Sequence, residues 1–189
     1  MPEFRRAASL TMVAATLLGA CSRAPSPASS PDPAADPASA LLARGFNGEV
    51  RAGVARVRAV TAPYHTLDSA VSAGYAAQVA KCYTDTNSHH GAMGYHHLNR
   101  AHVDSLAEAD KPEILLYERL DDGRYQLTGV EYIIPYRIRP REATPPRIFG
   151  LEMKQEDDLR LWYLHAWVWK EIPAGLFADW NPGVKCPPE

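Results

Sequence analysis

The chain has 189 residues, 46% of them hydrophobic and 22% charged, with 20 Lys/Arg against 22 Asp/Glu and a formal net charge of −2. That length suffices for one domain with a sizeable core. No run of Lys/Arg stands out, which argues against nucleic acid as a partner.

The chain opens with Arg5-Arg6, an apolar run over residues 10–18, the small pair Gly19-Ala20 and then Cys21. A charged start, a short apolar core and small residues form the pattern of a secretory signal. The run is shorter than the roughly 20 apolar residues that span a bilayer. With cysteine directly after the small pair, Leu18-Gly19-Ala20-Cys21 resembles the signal of bacterial lipoproteins, a resemblance covering residues 1–21. It implies cleavage of residues 1–20 and lipidation of Cys21. The product would be exported and anchored to a bacterial membrane, facing the periplasm or the cell surface. Several acyl chains together hold a protein stably where one does so only marginally. Residues 22–40 are rich in Pro, Ala and Ser. They cannot bury enough apolar surface to offset chain entropy, so they read as a tether. The folded domain is expected over residues 41–189.

Val50, Val54, Val57 and Val60 recur at helical spacing, with Asn47 as N-cap and Pro63 as stop. A second helix is expected over residues 67–80, capped by Thr66, with Leu67, Ala70, Val71, Gly74 and Ala77 as its buried stripe. Beyond Cys82 the apolar period becomes two. Strands are expected over residues 93–99, 114–119 and 125–134, the last two joined at Asp121-Asp122-Gly123. Residues 147–153 and 159–169 form a further expected hairpin around residues 155–158. The pattern predicts an α+β domain, two N-terminal helices packed on an antiparallel sheet of four to five strands.

With Cys21 assigned to the lipid, Cys82 and Cys186 remain. In an oxidising compartment their expected state is a disulfide. The rival reading, two thiolate metal ligands, lacks a neighbouring C-x-x-C partner.

Five of the seven histidines fall within residues 89–102: His89, His90, His96, His97 and His102. Their spacing fits no zinc motif, and His89, His90 and His102 read as polar loop residues. His96 and His97 lie in an expected strand, where neighbouring side chains point to opposite faces. Parity groups His97 with Met93 and Tyr95, and His96 with Gly94 and Leu98, without choosing between them. Glu131 sits amid the apolar strand Leu127-Thr128-Gly129-Val130-Glu131-Tyr132-Ile133-Ile134, where parity groups it with Leu127, Gly129 and Ile133. A buried carboxylate needs a cation, a metal or strong hydrogen bonds. A structural ion pair to an arginine is the competing explanation. His165 lies in an aromatic setting with Tyr163, Trp167 and Trp169.

His96 or His97, Glu131 and His165 would converge if their strands share a concave face. Two imidazoles and a carboxylate suit one transition metal ion, Zn²⁺, Cu²⁺, Fe²⁺ or Mn²⁺. The expected metal ligands are one of His96 and His97, with Glu131 and His165. His97, Tyr95, Tyr132 and Tyr163 are expected as supporting groups or alternative ligands. Two alternatives stand beside this reading: a metal-free module with an aromatic-lined pocket for a small ligand, and a metal-dependent enzyme. No G-x-S-x-G nucleophile motif occurs.

The segments Gly91-Ala92-Met93-Gly94-Tyr95-His96, Val130-Glu131-Tyr132 and Leu164-His165-Ala166-Trp167-Val168-Trp169, with the ending Asn181-Pro182 and Cys186, resemble secreted or lipid-anchored bacterial domains of unassigned function. The resemblance favours His96 over His97 and one domain for these segments. It implies no activity.

Overall fold

The computed structural model describes residues 46–86, 88–170, 172 and 175–187. The expected signal, the lipidation site Cys21 and the tether lie outside the described residues.

Helix α1 spans Gly48–Thr61 and begins where the Asn47 side chain accepts a hydrogen bond from Val50 N at 2.9 Å. That bond satisfies one of the unpaired N–H groups of the first turn. Val50, Val54 and Val57 face the core as expected, but Thr61 takes the fourth buried position in place of Val60. The Thr61 hydroxyl donates to Val57 O at 2.7 Å and accepts from Trp169 Nε1 at 2.9 Å. Pro63 lies in a 3₁₀ turn, Ala62–Tyr64, that extends the helix.

The expected second helix does not form over residues 67–80. Helix α2 covers only Leu67–Ser72. Gly74 adopts φ +101°. Gly74 N bonds Val71 O, and Tyr75 N reaches back to Ala70 O at 3.0 Å. This is a Schellman stop, in which glycine takes the left-handed position that ends a helix. The chain then enters strand β1, Ala77–Thr84. The described fold is therefore mostly sheet, not two helices on four to five strands.

The sheet has six strands. After β1 come β2 (Ala92–Leu98), β3 (Ile114–Arg119) and β4 (Tyr125–Pro135). Short strands β5 (Arg147–Ile148) and β6 (Leu151–Glu152) form a separate ribbon. Its tip, Phe149-Gly150, has both φ values positive. Strands β7 (Lys154–Glu156) and β8 (Leu161–Ala166) complete the main sheet, ordered β1-β2-β3-β4-β8-β7 with every neighbour antiparallel. The turn between β7 and β8 falls at residues 157–160, later than expected.

Each face of the sheet has its own core. Helix α1 packs on one, with Leu115, Tyr117, Val130, Tyr132, Ile134 and Leu164. The other gathers Leu98, Ile114, Leu116, Ile133, Trp167 and Val184. The C-terminal segment crosses this second face. Trp167 N bonds Leu176 O, the Trp167 indole donates to Ala178 O, and Asn181 pairs with Ala92.

Cys82 and Cys186 form the expected disulfide, tying edge strand β1 to this segment across 104 residues. A closed loop of that length restricts the unfolded chain by about 4–5 kcal/mol in the entropic account. The double variant Cys82→Ser/Cys186→Ser should lose stability of that order in urea unfolding. A loss under about 1 kcal/mol would mean that packing alone holds the segment.

Glu113, just before β3, is buried and accepts from Ile133 N at 3.1 Å. Burial pushes its carboxyl up to about 8 against the pull of its backbone hydrogen bonds. Between about pH 4.5 and 8 the unfolded chain has shed this proton while the folded chain keeps it. Stability should thus fall as pH rises through that window, by at most about 1.4 kcal/mol per pH unit. Glu113→Gln can keep the bond from Ile133 and should narrow the stability gap between pH 5 and pH 8 by about 2–4 kcal/mol, read by urea unfolding at both values.

Candidate metal centre

Ladder register sets the site. Glu131 of β4 pairs directly with His165 of β8 and, on its other side, with Ile114 of β3. Side chains of directly opposed antiparallel residues start about 5 Å apart. Glu131 Oε1 lies 3.7 Å from His165 Nε2. His96 comes from β2, two strands away, and its Nε2 lies 3.6 Å from Glu131 Oε2. Two strand spacings amount to nearly 10 Å in a flat sheet, so curling and side-chain length close the gap. The three ligand atoms that His96, Glu131 and His165 offer all lie within 4.8 Å of one another, and all three residues are buried. Among the described residues this is the one such group.

Among the register shifts of β1–β2 and β3–β4, two re-aim side chains against the simple parity reading. At Thr128 the β3–β4 register slips, so that Leu116 pairs with Gly129 but Tyr117 pairs with Leu127. Leu127 therefore falls on the helix side, away from Glu131, against the simple parity reading. Gly129 sits where a Cβ would stand 2.7 Å from Ala166 O. The second slip leaves Met93 as an extra residue between the Tyr83–Gly94 and Thr84–Ala92 pairs, with Gly94 at φ +80°. It turns Met93 onto the same cleft as His96, again against strand parity.

Electrostatically the three groups compensate one another only in part. Burial and the neighbouring His165 hold His96 down at about 3. Burial raises the Glu131 carboxyl, and the positive contribution of His165 opposes it only in part. His96 Nδ1 lies 3.2 Å from Gly94 O, a bond that leaves Nε2 facing Glu131 as an acceptor. Neither ring nitrogen of buried His165 has a hydrogen-bond partner. Donors about 2.1 Å from a tetrahedral ion stand about 3.4 Å apart, so the two imidazole–carboxylate separations are within about 0.3 Å of that spacing. The set is chemically suited to a borderline divalent metal, with open positions left over.

Of the supporting residues expected from sequence, Tyr163 shares the face, its ring 5.6 Å from that of His165. The others lie on the helix side. Tyr95 packs against Tyr125. The Tyr132 hydroxyl donates to Ala109 O at 3.1 Å. His97 packs against Tyr117 with both ring nitrogens unpartnered, and among the described residues it belongs to no group of three metal donors. His102 is structural, its Nδ1 2.8 Å from Pro112 O. His90 pairs with Asp85 at the surface. The arginine partner considered for Glu131 is replaced by imidazoles.

Asp179 was not visible in the sequence as a site residue. Its Oδ1 lies 4.0 Å from His165 Nδ1 and 2.6 Å from Lys154 Nζ. Burial works against its charge, but His165 and Lys154 outweigh that and hold the carboxyl at about 2. A carboxylate behind one ring nitrogen orients the other toward a metal. No pattern around Asp179 signals this, because the disulfide and the tail contacts bring it there.

No protein-family model, curated protein or solved structure matches this chain.

Proposed function

We propose that this protein is an exported bacterial lipoprotein whose domain binds one divalent transition metal ion through His96, Glu131 and His165. The observation that carries the metal reading is the convergence of two imidazoles and a buried carboxylate within 4.8 Å, one imidazole lacking any hydrogen-bond partner. Burying such groups unpaired costs free energy that a bound cation recovers. Asp179 Oδ1 lies 4.0 Å from His165 Nδ1, beyond hydrogen-bond distance, and a small movement of the ring would make it the partner that orients a metal-bound imidazole. Open coordination positions would let the ion polarise a bound molecule, so a metal-dependent enzyme remains within this reading.

Lipid anchoring at Cys21 and attachment to a bacterial membrane rest on the order Arg5-Arg6, apolar run, Leu18-Gly19-Ala20-Cys21. A disulfide is compatible with an oxidising, exported setting.

Elemental analysis of untagged protein, beside His96→Ala, Glu131→Gln and His165→Ala, tests the metal reading. One equivalent of a single metal is expected, with affinity reduced at least 100-fold in each folded variant. No metal, and none taken up from a buffered panel of Zn²⁺, Cu²⁺, Fe²⁺ and Mn²⁺, would overturn it. Glu131→Gln should also raise the stability of metal-free protein by on the order of 1 kcal/mol, because it removes a buried charge built for a partner. Unfolding in excess chelator reads that gain.

A further inference from the structure

The three ligands form the floor of a cleft of about 310 Å³. Its walls are apolar, with Met93, Leu98, Ile114, Ile133 and Leu161 above the ligands. Both edges of the sheet line it, Val79 and Tyr83 from β1 and Glu156 from β7, so the sheet closes over the floor as a trough. Its rim carries apolar side chains left in water: Val79 is 48% exposed, Tyr83 55% and Leu159 71%. Exposed apolar side chains gathered around one cavity mark a binding site more than scattered ones do.

Charge narrows the occupant. Among the described residues no Lys or Arg lines the cleft, and its acidic residues are Glu131 and Glu156. Lys154, whose Nζ lies 5.9 Å from the centroid of the Tyr163 ring, is engaged by Asp179. Phosphorylated molecules and di- or tricarboxylates would therefore meet no second countercharge beyond the metal. A divalent ion with one carboxylate and two neutral imidazoles leaves about one positive charge, enough for a neutral donor or a single anionic head.

Resting on the metal reading, we propose that the cleft binds a small molecule with one metal-binding head and an unbranched or aromatic apolar body. The head reaches the floor between His96, Glu131 and His165, and the body lies along Ile114, Ile133 and Leu161 toward the rim of Val79, Tyr83 and Leu159. At about 310 Å³ the space is at the small end for ligand sites, which favours a slender body.

The test is calorimetric titration of the zinc-loaded protein with acetohydroxamate, butyrohydroxamate and hexanohydroxamate. These share one head and differ only in chain length. Each buried methylene should tighten binding about fourfold. The double variant Val79→Asp/Leu159→Asp changes exposed rim positions and should keep one equivalent of zinc while losing the gain from hexanohydroxamate. Equal affinities across the series on a protein that holds zinc would overturn this inference and leave the metal site standing. If zinc is not taken up, the series is run with whichever of Cu²⁺, Fe²⁺ or Mn²⁺ the protein holds, and if it holds none of them the metal reading falls. The same series on metal-free protein then decides the cleft by itself: a chain-length gain abolished by the rim variant upholds it, and a flat series overturns it.

Discussion

A carboxylate on a central strand is the constraint around which this domain is organised. β4 is paired on both sides, so Glu131 cannot swing to a solvent-exposed edge. Its surroundings must answer the charge in place. The answer is two imidazoles, one fixed opposite by the β4–β8 register and one carried over from β2 by the curl of the sheet. Burial raises the Glu131 carboxyl, and His165 opposes that rise only in part. The arrangement is therefore best satisfied when something positive joins it.

The two faces of the sheet treat polar groups differently. On the helix side three buried tyrosines are tied off by main-chain carbonyls, Tyr75 to Pro112, Tyr117 to Tyr64 and Tyr132 to Ala109, and a fourth, Tyr136, by the Asp157 carboxylate. The carbonyl bonds close the 3₁₀ turn and the loop before β3 onto the core. His97 is an exception there, with unpartnered nitrogens but, among the described residues, no place in a group of three metal donors. On the other face His165 is unpartnered, Glu131 is raised and a cleft opens above both. Isolated unpaired groups cost stability, whereas converging ones define a site.

Much of this was legible in the chain. Asp121-Asp122-Gly123 and the run over residues 125–134 signalled the central hairpin, and Tyr163 and Trp167 flank His165 as their spacing suggested, but Trp169, beyond the end of β8, turns to the helix side and donates to Thr61. Glu131 was recognisable because a charge in an apolar strand is rarely idle. The second helix misled because Ala, Val and Leu at helical spacing extend past Gly74, whose role as a stop depends on a left-handed conformation that composition does not reveal. Parity failed at Leu127 and Met93 for a related reason. A single-residue bulge reverses every side chain beyond it, and bulges leave little trace in one sequence. Asp179 was out of reach because its position depends on long-range contacts made by the tail.

The disulfide has a consequence in time. Cys82 lies on an edge strand, and its partner is synthesised 104 residues later. The sheet can pair through β8 while that thiol is still free. Asp179 is seven residues before Cys186, on the segment that the bond pins. Under reducing conditions the strands can already bring His96, Glu131 and His165 together, while Asp179 is held by Lys154 and by the tail contacts. Oxidation then acts as a finishing step, fixing the segment that carries Asp179 onto a sheet whose strands are already paired.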